Sequence, residues 1–217
     1  MKKLLFTAIL VLTGLRAFSQ DAFIDQLTGR VEIRQSEETS FKAANKGDKI
    51  FQETVISTGF KSYAVVRIGG ATVSVRPLTI LTLKEIQKLD ETETLNVNLR
   101  AGRVRVDVKP PAGTKAIMTV YSPTSTASVR GTNFELDTRS LYVREGTVSF
   151  AGIVGQGVLV GAGGSSRVDQ TGQATNPRDE RNANLMPPNP AGTSARDTPV
   201  SGRVTVGAPF TVDLVFH

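Results

Sequence analysis

Five carboxylates beside turn-forming residues, Asp48, Glu53, Glu135, Asp137 and Glu145, are the groups in this sequence best suited to acid–base chemistry. Paired Asp and Glu can hydrolyse glycosidic bonds without being close in sequence, which keeps a glycan-acting enzyme in view. Other chemistries have less to draw on. The absence of Cys removes thiolate nucleophiles, disulfides, Cys-based zinc sites and iron–sulfur clusters. The single His, His217, leaves no imidazole cluster for a metal and few triads. Gly155-Gln156-Gly157 followed by Gly161 has the outline of a dinucleotide loop, but no strand–loop–helix surrounds it, so turn glycine is the reading. Thr58-Gly59-Phe60-Lys61 spaces a hydroxyl and an amine as a helical turn would, yet these residues sit between strands. Asp90, Glu91 and Glu93 lack the internal glycine and ligand spacing of a calcium loop and read as a solvated turn. Acids beside turns are ordinary, so no catalytic residue, no cofactor and no metal ligand is assigned, and the chain is expected not to be an enzyme.

Arginine is the other chemically loaded residue. Arg30, Arg34, Arg67, Arg76, Arg100, Arg103 and Arg105 fall on or beside predicted strands, most at outward positions. They suit a stripe for an acidic glycan or a lipid head group. The preferred reading is that they keep an exposed sheet face soluble and guard its edges.

The elements that position these residues begin behind a leader. Lys2 and Lys3 precede an apolar stretch of twelve residues, Leu4 to Leu15, interrupted only by Thr7 and Thr13, too short to span a bilayer and suited to a signal h-region. Small residues at Ala17 and Ser19 place cleavage between Ser19 and Gln20. Removing residues 1–19 leaves 198 residues and takes the formal charge from +6 to +3, a balance that argues against nucleic acid. The mature chain is expected to hold no transmembrane helix and to reside in the periplasm or outer envelope.

Beyond the leader, period-2 alternation dominates. Thr28-Gly29 opens a strand with Val31 and Ile33 on one face. Residues 63–68 and 71–76 flank Gly69-Gly70 as a hairpin. Leu95, Val97 and Leu99 lead through Arg100-Ala101-Gly102 to Val104, Val106 and Val108, which reads as a second hairpin. Ile117, Thr119 and Tyr121 alternate up to Ser122-Pro123. Phe134 to Leu136 and Leu141 to Val143 flank a polar turn, Glu145-Gly146 is the next, and Val148 and Phe150 follow it. Val158 to Val160 form a short strand, and Leu83 to Leu89 read as a strand end before the acidic turn. The expected organisation is a signal peptide over 1–19, an all-β domain over 20–174, a Pro-rich extended linker over 175–199 and a terminal hairpin over 200–217. The domain is expected to be short antiparallel strands in stacked twisted hairpins, solenoid- or sandwich-like, with almost no helix.

Two stretches carry a resemblance. Gly47-Asp48, then Thr58-Gly59 with Ser62 and Ala64 behind it, and a hairpin whose second strand ends at Pro77, resemble the first half of the FecR domain. Val129-Arg130-Gly131-Thr132-Asn133-Phe134, followed by a strand and Glu145-Gly146, resembles its most specific element. The resemblance implies an exported all-β module that senses, binds or scaffolds. Members that restrain a sigma factor carry a cytosolic segment and a membrane helix before the domain, and with fewer than twenty residues ahead of the cleavage site that role is not expected here. The signature is read as mainly architectural. Gly131 permits a turn where a side chain would clash, Thr132 caps backbone groups and Phe134 enters the core. Arg130 is expected to satisfy carbonyls or pair with Glu145, with a ligand role as the alternative.

The expected function is a non-catalytic envelope module acting in protein interaction, sensing or scaffolding. Its partner, an envelope protein or surface glycan, adds a strand at an edge or docks on an outward face. The alternative is a structural, outer-membrane-associated surface protein. Alternating Phe210, Val212, Leu214 and Phe216 motivate it, since they resemble outer-membrane terminal strands and suit peripheral association. An enzyme acting on envelope glycans is a distant third.

Overall fold

Val, Ile and Leu at every second position give each strand one apolar face, and such faces must be buried against each other. The computed structural model describes residues 22–185, 201–205 and 211–215, which fall into two compact units divided between Asn182 and Ala183. The leader and the proposed cleavage at Ser19–Gln20 lie outside the described residues.

In the first unit two sheets share one core. The seven-stranded sheet runs β1 (Ala22–Thr28), β5 (Tyr63–Ile68), β6 (Ala71–Val75), β9 (Arg103–Val108), β12 (Asn133–Asp137), β13 (Ser140–Glu145) and β16 (Ser165–Arg167). The nine-stranded sheet runs β3 (Lys42–Ala43), β2 (Val31–Arg34), β4 (Val55–Thr58), β7 (Ile80–Leu89), β8 (Thr92–Ala101), β10 (Lys115–Tyr121), β11 (Ser125–Arg130), β14 (Thr147–Gly152) and β15 (Val158–Gly161). Apart from the β2–β3 pair, spatial order follows chain order, so the polypeptide winds back and forth between the layers while advancing along them. Every pairing is antiparallel except that of β8 with β10. The expected all-β fold of antiparallel strands is therefore what the chain adopts, in the sandwich form.

Successive connections lie at alternate ends of the sandwich. End I holds Gly29, residues 59–62, 76–79, 102, 122–124 and 138–139; end II holds 69–70, 90–91, 109–114, 131–132, 146 and 162–164. The core between them is built from Ile24, Val66, Val73, Leu95, Val97, Leu99, Val104, Val106, Met118, Phe134, Leu136 and Phe150, none more than 1% exposed. Each such aliphatic side chain stabilises the fold by roughly 1.5–3 kcal/mol on burial.

Three expectations are corrected. First, Leu95–Leu99 and Val104–Val108 do not form a hairpin: β8 pairs with β7 and β10, whereas β9 pairs with β6 and β12. At Gly102 the chain leaves one layer for the other, so the two strands lie in opposite sheets with their apolar faces on the shared core. Gly102 has φ +87°, and a Cβ there would lie 2.2 Å from Thr79 Oγ1 and 2.6 Å from the Leu78 carbonyl oxygen. Glu145-Gly146 likewise takes the chain from β13 in one sheet to β14 in the other. Second, in β10 the buried side chains are Ala116, Met118 and Val120, while Ile117 and Tyr121 face outward. A shift of one residue exchanges the faces of a strand, and here small, linear side chains fill the interior.

Third, residues 177–185, expected as extended linker, form helix α1 (Pro177–Leu185). Asn176 caps it, accepting the Arg178 N–H on its side-chain oxygen at 3.0 Å. Pro177 occupies the first turn, where its missing N–H has no cost, and Asp179 and Glu180 favour the positive end of the helix dipole. Glu180 accepts two hydrogen bonds of 2.8 Å from Arg167 of β16. In the second unit β17 (Ser201–Thr205) pairs antiparallel with β18 (Thr211–Val215), Val204 opposite Val212; Phe210 and Phe216 lie outside the described residues.

Gly113 offers a control for Gly102, with φ +83° and no atom within 4 Å of a Cβ. Gly113→Ala is expected to cost about 1–2 kcal/mol from backbone strain alone. Gly102→Ala is expected to cost at least about 1 kcal/mol more, because overpacking adds to the strain. Urea unfolding of the two variants measures the difference, and equal losses would reject the close approach at Gly102.

Candidate functional site

Where the chain crosses between layers, peptide groups lose their ladder partners and need substitutes. At end I buried hydroxyls supply them. Ser62 Oγ accepts the Arg30 N–H at 2.8 Å and donates to the Phe60 carbonyl. Thr58 Oγ1 donates to the Arg76 carbonyl at 2.6 Å and accepts the Thr79 N–H at 3.0 Å. Thr79 Oγ1 in turn accepts the Arg103 N–H at 3.0 Å. Farther along, Ser122 Oγ accepts the Ser125 N–H and donates to the Thr138 carbonyl. Thr58, Ser62 and Thr79, all buried, each tie one crossing to another, whereas Ser122 ties the β10–β11 turn of one sheet to the β12–β13 turn of the other.

The resemblance residues divide over this frame and do not meet in one place. Thr58 and Gly59 belong to end I, where the Gly59 N–H donates to the Arg30 carbonyl at 2.8 Å. Gly47 and Asp48 flank β1. The Gly47 N–H donates to the Ile24 carbonyl, the Ile24 N–H to the Asp48 carbonyl, and the Asp48 carboxylate accepts the Asn45 N–H. Gly131, Thr132, Glu145 and Gly146 belong to end II, and Val129 and Phe134 are core residues. Gly131 has φ +67°, but nothing lies within 4 Å of a Cβ there; the close approach belongs to Gly146, whose Cβ would fall 2.5 Å from Thr132 Cγ2. Thr132 is buried, yet its hydroxyl has no hydrogen-bond partner among the described residues and caps none of them. Arg130 is exposed and forms no ion pair with Glu145 among the described residues.

A groove lies instead on the outer face of the seven-stranded sheet. A cavity of about 440 Å³ is lined by Arg76, Pro77, Leu78, Gly102, Arg103, Glu135 and Asp137. A second of about 240 Å³ shares Arg103, Glu135 and Asp137 and continues to Ser140, Tyr142 and Ser165. Cross-strand register accounts for the convergence. Arg105 stands between Ser74 and Glu135, Glu135 opposite Tyr142, and Arg103 opposite Asp137. Glu135 Oε1 lies 3.0 Å from Arg144 and 3.6 Å from Arg76, and Asp137 Oδ2 lies 3.4 Å from Arg103. The other Asp137 oxygen accepts the N–H groups of Arg139 and Ser140, fixing the β12–β13 turn. The carboxylates are recessed and the guanidinium groups stand more exposed around them. Arg144 also packs over the Tyr142 ring, 5.8 Å from its centroid.

Burial of the Glu135 carboxyl pushes its pKa up. The Arg144 hydrogen bond and the charges of Arg144, Arg76 and Arg105 push harder the other way, and it settles below its ordinary value. A carboxyl of that kind stays ionised and makes a poor proton donor. The carboxyl with a raised pKa is Glu93, lifted by burial despite the Gly70 N–H it accepts. It points inward under the Gly69-Gly70 turn at end II, 6% exposed, with Oε1 unpartnered. Glu93 thus stands apart from the acidic turn in which the sequence placed it. Arg76, Arg103, Arg105, Glu135 and Asp137 were individually visible as outward or turn-side charges. Ser62 is among the residues that carry the resemblance, whereas nothing in the alternation marks Tyr142, Arg144 or the Thr79 hydroxyl, although a hydroxyl beside a glycine crossing is a readable signal.

Residues 54–149 match the family model described as FecR protein. That span runs from the start of β4 into β14. No curated protein matches the chain. Two crystal structures of a candidate anti-sigma factor from Parabacteroides distasonis, at 1.65 and 2.50 Å resolution, superpose with TM-scores of 0.45 and 0.44. They share 15% and 16% identity with the chain over 56% of its length, and the match spans 59% of theirs.

Because burial favours the neutral Glu93 carboxyl, the folded state keeps this proton to higher pH than the unfolded chain. Its contribution to stability is full below about pH 4 and is lost as pH rises through the folded value. Glu93→Gln, which keeps an acceptor for Gly70, is expected to raise the melting temperature at pH 7 and to leave it unchanged at pH 3.5. A variant less stable than the parent at pH 7 would show that the ionised carboxylate holds the turn.

Proposed function

We propose that this protein is an exported, non-catalytic FecR-like module of the bacterial cell envelope that works by binding, in sensing or scaffolding. One observation carries the reading: in the described groove, both carboxylates are spent on arginines. Glu135 and Asp137 are held by arginines, and the carboxyl suited by its pKa to donate a proton is sealed under a turn, whereas glycoside hydrolysis needs such an acid facing substrate. The resemblance residues support it too, since they serve crossings, edges and core.

The route of binding follows from the edges. The outermost strands β3, β15 and β16 have two, four and three residues, and the backbone of β1 is paired by residues 47–50. Short or covered edges resist strand addition, so a partner docks on an outward face. A second reading, a surface protein associated with the outer membrane, draws on the β17–β18 hairpin. An isolated two-stranded hairpin is marginal in water and gains from a partner.

Export and binding are tested together. Expressed in a Gram-negative host, the protein is expected in the periplasmic fraction with Gln20 as its first residue by mass spectrometry. Recovery of an intact Met1 product from the cytosol would reject the reading. Sedimentation with outer membranes that disappears on removal of residues 176–217 would favour the second. Release of reducing ends from envelope glycans, lost in Glu135→Gln, would establish an enzyme.

A further inference from the structure

The two cavities on the seven-stranded sheet form one trough running across the strands from β6 to β16. At about 4.8 Å per strand that is a length of roughly 19 Å. Arg76 and Arg103 line it, and Arg105 and Arg144 stand beside Glu135 at its wall, while Asp107 on the same face is paired with Lys109. Arg76, Arg103, Arg105 and Arg144 face two carboxylates, Glu135 and Asp137, so two positive charges stand in excess. Arg105 is half-buried in the middle of the row and makes no side-chain hydrogen bond or ion pair among the described residues. A guanidinium presents five donors in a fixed fork, and one held in this way has its capacity free for an anion. The recessed carboxylates orient Arg76, Arg103 and Arg144 in advance, which lowers the ordering cost of binding.

We propose that this trough binds an acidic polysaccharide, a claim that rests on reading the domain as a binding module. The uncharged lining suits sugar rings: Pro77 and the 61%-exposed Leu78 offer an apolar wall, and Ser140, Ser165 and Tyr142 offer hydroxyls. A peptide strand gains little here, because a chain crossing the strands on their face takes no main-chain ladder bonds. Nucleic acid is no better served. Bases need free aromatic platforms, and Tyr142 already carries Arg144 over its ring. Carboxylate and phosphate groups on the glycan are both matched by the guanidinium fork.

The full-length protein is titrated calorimetrically with polygalacturonate and with a phosphorylated mannan, and with neutral dextran and single-stranded DNA as comparisons. Saturable binding of at least one acidic glycan is expected, and the stronger of the two identifies the charged group. Binding should weaken markedly from 50 to 300 mM salt, with none to dextran. Arg105→Gln should lower affinity about tenfold at unchanged melting temperature, and Thr119→Ala, on the outer face of the other sheet, should change nothing. No binding of either acidic glycan, DNA binding as tight as glycan binding, or full affinity in Arg105→Gln would each overturn the site. Any of these would leave the periplasmic location and the binding of a protein partner untouched.

Discussion

The whole arrangement depends on satisfying backbone groups where the chain passes from one sheet to the other. A two-layer fold of short strands has many such crossings, and each strips several peptide groups of ladder partners. Ser62, Thr58 and Thr79 meet that demand at end I, each reaching from one crossing to another, and Ser122 joins a hairpin turn of one sheet to a hairpin turn of the other. Glycine does the complementary work, letting backbone and hydroxyl approach where a Cβ would collide, as at Gly102. Remove the hydroxyls and the sheets keep their ladders but lose the stitching that holds their ends in register.

With structure secured at the ends and in the core, the outer faces are left to differ. The seven-stranded sheet turns outward Arg67, Arg105, Asp107, Glu135 and Arg144. The nine-stranded sheet turns outward Thr94, Asn96, Asn98, Thr119, Thr126, Ser128 and Ser149 over four adjacent strands. Over these strands the first sheet concentrates charge, while the charges of the second gather farther along it, where Arg34, Glu53, Lys84 and Arg100 line a separate cavity. Without cysteine the fold relies on burial and hydrogen bonds alone.

Alternation made the strands themselves legible, as in Val104-Arg105-Val106, and the Gly69-Gly70 hairpin with them. It could not show whether a strand after a turn lies beside its predecessor or opposite it, because both arrangements bury the same face. That is why β8 and β9 were expected to pair. In β10 the side chains themselves misled, since Ile117 and Tyr121 are larger than Ala116 and Val120 and yet lie outside. Helix α1 was signalled by Asn176-Pro177 and the acids after it, and was masked by the prolines beyond. Of the groove, the single charges were readable, but their meeting depends on the β6–β9–β12–β13 neighbourhood, in which residues thirty and more apart become adjacent. Glu93 sits at an inward position of the Leu95-Val97-Leu99 period, and its burial followed from that phase.

The coincidence of chain order and spatial order has a bearing on how the molecule is made. Among the paired strands, the most widely separated partners are Ala22 and Ile68, which pair at one end of the β1–β5 ladder. A polypeptide delivered from its N-terminal end therefore has nearly every strand's neighbours within the next few dozen residues to arrive. No early segment waits, apolar and exposed, for a distant C-terminal one to close the sheet. Vectorial assembly of this sort, layer upon layer as the chain emerges, spares the nascent protein the long-lived sticky intermediates that trap β-sandwiches closed by their last strand.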